Sequence, residues 1–424
     1  MPDWVQHAIW WQVYPLGFTG AEPESAPDQQ VTHRLDRIRQ WLDYAIDLGA
    51  SGLALGPVFA SHTHGYDTTD HYRIDPRLGD ERDFDKLLTA AHERGLRVLL
   101  DGVFNHVGRG FARPGEGRHT GDTRDTWLRR TEDGGYETFE GHDHLLALNH
   151  DDPAVQAYVA DVLAHWLAAG ADGWRLDAAY AVPPRFWATV LPRVRDQHPG
   201  AYFVGEVIHG DYPDFVHSGH LDSVTQYELW KAIWSSLNDR NLFELRWALE
   251  RHNDLLDSFV PLTFVGNHDV TRIASRLEDV RLLAHALVVL FTTGGTPSVY
   301  SGDEQGFRGV KEERAGGDDE IRPAFPARPE DLAPGGWPTY RLHQDLIGTR
   351  RRHAWLHRAR TGITHLTNTQ LGYRSTVDGQ AITVALNLDG TPAAIPATGR
   401  VILGEAAVRN GTAHLPPYGW AVLE

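Results

Sequence analysis

Short β-rich runs alternate with helical patterns over about the first 350 residues, the signature of βαβ units around a parallel sheet. The runs fall near 8–15, 51–56, 97–104, 173–179, 202–207, 223–227, 260–267 and 298–302. Eight such units fit a (β/α)8 barrel of roughly 250 residues carrying insertions. The helix expected after Asp152 shows the logic. Asp152-Pro153 supplies an N-cap and a preset first turn. Val155, Val159, Val162, Leu163, Trp166 and Leu167 then line one face, and Gly170 stops the helix.

Two stretches break the rhythm. Gly108-Arg-Gly-Phe-Ala-Arg-Pro-Gly-Glu-Gly117 is loop-like, and 107–148 reads as a short insertion after strand three that forms one wall of a cleft. From about 354 the pattern turns to short alternating runs separated by Asp378-Gly, Asp389-Gly and Asn410-Gly. The expected architecture is therefore α/β: a barrel over 1–106 and 149–353, the insertion over 107–148, and a small antiparallel, sandwich-like β domain over 354–424.

A parallel barrel gathers the C-terminal ends of its strands around one mouth. Three apolar runs end there in acids: Gly173-Trp-Arg-Leu-Asp177, Tyr202-Phe-Val-Gly-Glu206 and Phe264-Val-Gly-Asn-His-Asp269. Three carboxylates in one cleft repel each other and spread their pKa values, which suits glycoside cleavage. The two-residue period of a strand puts Arg175 on the face of Asp177, where its guanidinium would favour and orient a carboxylate nucleophile. Glu206, after an apolar run and between anionic neighbours, is the natural proton donor. Asn105-His106 and His268-Asp269 end their strands in polar pairs suited to sugar hydroxyls.

Composition narrows the partners. A net charge of −17 argues against nucleic acids and anionic membranes, whereas a neutral sugar is compatible with it. The 14 Trp and 14 Tyr supply rings of the kind that stack on sugars. No run approaches the roughly 20 apolar residues of a membrane span. Met1-Pro-Asp-Trp-Val-Gln-His-Ala reads as no signal peptide, and the absence of cysteine excludes disulfides and thiolate metal sites. The expected location is the cytoplasm. His62, His64, His142, His144 and His150 match no zinc-ligand spacing, so no metal is assigned to them.

With these residues in place the chain resembles the α-amylase family, glycoside hydrolase family 13, from about Trp4 to its end. Asp101-Gly-Val-Phe-Asn-His106, Gly173–Asp177, Gly205-Glu206-Val207 and Phe264–Asp269 resemble its four conserved blocks, in order. Gly294-Gly-Thr-Pro-Ser-Val-Tyr-Ser-Gly-Asp-Glu304 resembles the block at strand eight. The resemblance implies Asp177 as nucleophile, Glu206 as acid/base and Asp269 as stabiliser of the distorted sugar. It implies substrate contacts from Tyr66, in His64-Gly-Tyr-Asp67, and from His106, Arg175, His268 and Arg322, with Asp101 and Asn105 as supports.

Within the family the likeness is greatest to the neopullulanase and cyclomaltodextrinase group, through Leu146-Ala-Leu-Asn149, Asp172–Trp187 and Arg322-Pro323. That implies a retaining hydrolase of short or cyclic α-linked glucosides. A transglycosidase using the same site is the first alternative, and a non-catalytic sugar- or protein-binding barrel a remote one. Three departures stand out. Strand one begins almost at once, so the group's N-terminal β domain and the dimer it builds are not expected; the oligomeric state is otherwise open. Ile208 replaces a Trp common after the acid/base. Tyr180 and Ala181 replace the Lys and His of calcium-dependent endo-amylases, which argues against a calcium requirement.

Overall fold

The computed structural model describes residues 1–26, 28–113, 117–118, 126–314 and 316–424. Eight parallel strands form the barrel: β1 (Trp10–Val13), β2 (Gly52–Leu55), β3 (Arg97–Gly102), β4 (Gly173–Leu176), β5 (Tyr202–Gly205), β6 (Ser223–Val224), β7 (Leu262–Phe264) and β8 (Thr296–Tyr300). Their order is β6-β5-β4-β3-β2-β1-β8-β7. A parallel bridge from Thr225 to Leu262 joins the two ends and closes the ring. All eight runs read from the sequence are strands. β6 stops short of its expected end because Gln226 instead caps the helix Tyr227–Asn238, its side chain accepting from the Leu229 amide.

The two-residue period divides the strands into an inward and an outward face. Trp10, Leu99, Tyr202, Val204, Leu262 and Phe264, all from odd-numbered strands, pack together as one buried cluster. This is the layering expected of a filled barrel. Trp10 and Tyr202 stack at 6.4 Å and 13°. Gly52 makes room for them, since a Cβ there would lie 2.4 Å from the Trp10 ring. Their neighbours Trp11, Val98, Leu100, Trp174 and Phe203 belong to the larger cluster packed against the helices.

Helices between strands begin where the sequence caps them. Asp152 accepts from the Ala154 amide at the start of Pro153–Ala168, and Asp80 and Asp83 form a reciprocal capping box at Glu81–Glu93. Among the described residues no helix is long and apolar enough to cross a membrane.

The insertion is zipped at its base, where His106–Gly108 pairs antiparallel with Leu145–Ala147. Of the loop read over 108–117, residues 112–113 pair with 117–118, and residues 114–116 lie outside the described set.

At the C-terminal end a five-stranded sheet of order Arg360–Leu366, Gln370–Val377, Gln380–Asn387, Trp420–Leu423, Val401–Gly404 faces a three-stranded one of order Ala393–Pro396, Thr412–Leu415, Ala407–Arg409. Ala385, Ile395, Leu415 and Leu423 fill the space between them. Asp378-Gly379 and Asn410-Gly411 are two-residue hairpin turns with positive φ at both positions. Asp389-Gly390 differs: the strands it separates lie in different sheets, so it carries the chain from one sheet to the other.

Candidate active site

Strand register builds the centre. Arg175 on β4 pairs with Asp101 on β3, and the ladder continues past the strand ends through Asp177 N–H to Gly102 O (2.9 Å) and Glu206 N–H to Leu176 O (2.9 Å). Adjacent strands therefore deliver Asp101, Arg175, Asp177 and Glu206 at nearly one height. One nitrogen of the Arg175 guanidinium donates to Asp101 (2.8 and 2.9 Å) and to Asp177 (2.8 Å). The other lies 2.7 Å from Glu206 and 3.9 Å from Asp269. One planar cation thus orients the acids from β3, β4 and β5.

Glu206 has further fixed partners. Its Oε2 accepts from the Ala178 amide (3.0 Å) and its Oε1 from the Tyr227 hydroxyl (3.1 Å). Ala178 sits in the left-handed region at φ 44, the backbone bend that aims its amide at Glu206. Tyr227 is held in turn by Asn267, whose side-chain oxygen also accepts from the Asp269 amide (2.8 Å).

Asp269 lies between cations on the other wall. Arg322 donates to its Oδ1 (2.6 Å) and, through Nε, to the His268 carbonyl (2.8 Å), while His268 Nε2 lies 2.9 Å from Oδ2. The His268 ring stacks on Tyr66 (5.6 Å, 1°) and Tyr14 (5.9 Å, 5°), and Gln12 contacts its Nδ1 at 3.1 Å. The Tyr66 hydroxyl meets Asp101 and His268. His106 contacts the Tyr66 carbonyl through Nε2 (3.1 Å) and the Asn105 side chain through Nδ1 (3.0 Å).

The acids spread as expected of a crowded cluster. Burial pushes Asp177 well above the usual carboxylate range; Arg175 opposes that, while Glu206, Asp101 and Asp269 add to it. Burial likewise raises Asp101. At Asp269 burial is outweighed by His268, Arg322 and Arg175, which hold it far below that range. Asp101 and Asp177 therefore bind a proton more tightly than an isolated acid, and that proton is shared between them rather than owned by one. Tyr66 and Tyr227, raised chiefly by burial, remain neutral donors, and burial lowers His106 to about 3.

All ten residues selected from the sequence meet in this one contact network. Missing from that selection were Gln12, Tyr14, Tyr227 and Asn267. Asn267 lies inside the block ending at Asp269, and Gln12 and Tyr14 lie at or just past the end of β1; each was open to the same end-of-strand argument. Tyr227 ended the run read over 223–227 and was open to it as well, although in the structure it heads a helix. Four of the histidines weighed as metal ligands have contacts with other groups of the chain. His150 is buried against the Phe104 carbonyl (2.9 Å), and His64, His142 and His144 make ring contacts. The one grouping of possible ligands among the described residues is His33, Asp80 and Asp83, of which Asp80 and Asp83 form the helix-capping box and His33 contacts Asp83.

A closed β/α barrel whose mouth presents paired carboxylates on an arginine, flanked by stacked rings, defines a glycoside hydrolase. The sequence profile described as "Alpha amylase, catalytic domain" matches residues 12–133 and 119–334. The chain belongs to the α-amylase family. A cyclomaltodextrinase of Geobacillus thermopakistaniensis is 29% identical over 465 residues, covering 99% of this chain and 77% of that protein. An intracellular maltogenic amylase of Bacillus subtilis is 30% identical; the match covers 73% of this chain and 57% of that protein's length. Among solved structures, the cyclic α-maltosyl-(1→6)-maltose hydrolase of Arthrobacter globiformis in complex with maltose superposes with a TM-score of 0.82 at 25% identity, over all of both chains.

Proposed function

We propose that this protein is a retaining hydrolase of short or cyclic α-linked glucooligosaccharides. The observation that carries the reading is the Arg175 guanidinium, which holds Asp177 and Glu206 on adjacent nitrogens. That arrangement favours the separation of roughly 5–5.5 Å needed for a double displacement over the wider gap of an inverting pair.

In this reading Glu206 protonates the glycosidic oxygen while Asp177 attacks the anomeric carbon, forming a covalent glycosyl-enzyme and releasing the leaving sugar. Glu206 then takes a proton from water, which displaces Asp177 and restores the original configuration. Arg175 supports the charge on Asp177 as it attacks, and Glu206 is the proton donor. Asp269, kept ionised between Arg322 and His268, accepts from hydroxyls of the distorted sugar, and Tyr66 offers its ring beneath that sugar. His106 and Arg322 add contacts; Asp101 and Asn105 brace the floor. The reaction needs no metal in this scheme. The named activities of the cyclomaltodextrinase, maltogenic amylase and cyclic maltosyl-maltose hydrolase support the substrate class, and the second relative's intracellular location supports a cytoplasmic one.

An anomer-resolved NMR time course on maltopentaose, β-cyclodextrin and panose tests the proposal. Shorter products that first appear as the α-anomer are expected. Initial β-anomers would overturn the retaining mechanism, and products longer than the substrate would make the enzyme a transglycosidase.

A further inference from the structure

The rim beside Glu206 is formed by two segments to which the reaction above gives no role. One is the turn Phe139–Gly141 in the insertion, and the other is the turn Ala179–Ala181 after β4. They are joined by the Tyr180 hydroxyl, which donates to Glu140 Oε1 at 2.7 Å. The Tyr180 amide also donates to the Glu206 carbonyl (3.1 Å), so the contact stands next to the residue that protonates the leaving oxygen. Burial first, and then the Glu140 carboxylate, push the Tyr180 hydroxyl above its ordinary range, so it stays a donor.

Phe139 links the rim to His106. Its ring stacks on His106 at 4.7 Å and 15° and lies 6.4 Å from Tyr180, while His209 lies 6.3 Å from Tyr180. Glu140 itself is held at φ 49, ψ 30, a left-handed conformation that a residue with a Cβ adopts only at a cost. Among the described residues, its carboxylate accepts from the Tyr180 hydroxyl. Because Glu140 is exposed, water can replace Tyr180 as its partner, and the join is weak enough to open.

A proton delivered by Glu206 goes to the departing sugar, so that sugar and anything attached to it occupy the Glu206 side of the cleft. We propose that the Glu140–Tyr180 hydrogen bond, flanked by Phe139, is a strap that restricts this side to short leaving groups and so sets substrate size. The proposal rests on the glycoside-hydrolase reading above. Tyr180 and Glu140 act here as specificity-determining residues, not as catalytic ones.

The test compares kcat/KM for β-cyclodextrin with that for p-nitrophenyl α-maltoside, whose leaving group is a single small ring. The parent enzyme, Glu140→Ala, Tyr180→Phe, the double variant and Glu140→Gln are measured. Each single loss should raise the cyclodextrin-to-aryl ratio about fivefold, the scale of one net hydrogen bond, chiefly through KM for the cyclodextrin. The double variant should add nothing further, and Glu140→Gln, which keeps an acceptor oxygen for Tyr180, should retain the parent ratio. An unchanged ratio, or a parallel fall on both substrates, would overturn the strap. A lowered ratio would also overturn it, because the pair would then be gripping the leaving sugar. If the parent turned over neither substrate, the hydrolase reading would fail and take the strap with it. Parent turnover with invariant ratios would remove the strap alone.

Discussion

Arg175 spans Asp177 and Glu206, with one guanidinium nitrogen 2.8 Å from the first and the other 2.7 Å from the second. Arg175→Lys keeps the charge but cannot reach both acids with a fixed planar fork. A loss of about 100-fold in kcat is expected, the scale of a small misplacement of reacting groups. Steady-state kinetics beside circular dichroism would check it; near-parent kcat in a folded variant would remove Arg175 as the organiser.

Asp177→Asn should abolish turnover and leave the fold intact. Glu206→Gln should lower kcat about 10²–10⁴-fold on maltopentaose. The loss should be much smaller on a dinitrophenyl α-glucoside, which leaves without protonation. Equal losses on the two substrates would count against Glu206 as the acid.

Acid should destabilise the fold through its buried histidines. Burial lowers His71, His150, His252, His285 and His343 to about 4, and His106 and His357 to about 3, from an ordinary 6.5. Unfolding frees them to bind protons at their ordinary pKa. The stability they contribute is therefore complete above 6.5 and falls as the pH drops toward 4. Between pH 7 and 5 the change is about 2 kcal/mol for each histidine that stays neutral in the fold. Burial raises Asp303 to about 6 and Glu304 to about 7, and lifts Asp101 and Asp177 above their ordinary range, which works in the opposite direction, but they are four groups against seven. Calorimetry should show Tm falling from pH 7 to pH 5; a flat or rising Tm would refute the argument.

Chelation should leave the enzyme unaffected. Ala181 offers no side-chain ligand atom, and the Tyr180 hydroxyl is already engaged with Glu140. Activity and Tm are expected to match before and after EDTA dialysis, and a loss restored by added calcium would contradict this.

Trp10→Ala should empty the barrel floor where Trp10 stacks on Tyr202. A destabilisation of about 3–5 kcal/mol is expected from urea titration. A cost below about 1 kcal/mol would mean that the surrounding side chains collapse into the space.

Local pattern alone located the eight strands, the capped helix Pro153–Ala168 and the carboxylates at strand ends, because period, capping and turn chemistry act over a few residues. It also placed Arg175 beside Asp177, since two residues on one strand share a face. Which residues from different strands touch was decided only by the closed barrel. Register set Arg175 against Asp101 and brought Glu206 onto the same guanidinium. Tyr227, at the head of a helix, joined Glu206 only because closure carries that helix to the mouth. The same holds for Phe139 on His106 and Glu140 on Tyr180, contacts between an insertion and loops distant in sequence. The division of charge also belongs to the tertiary structure. Asp177 and Asp269 are chemically identical acids driven in opposite directions, one chiefly by burial among like charges and the other by the cations that enclose it.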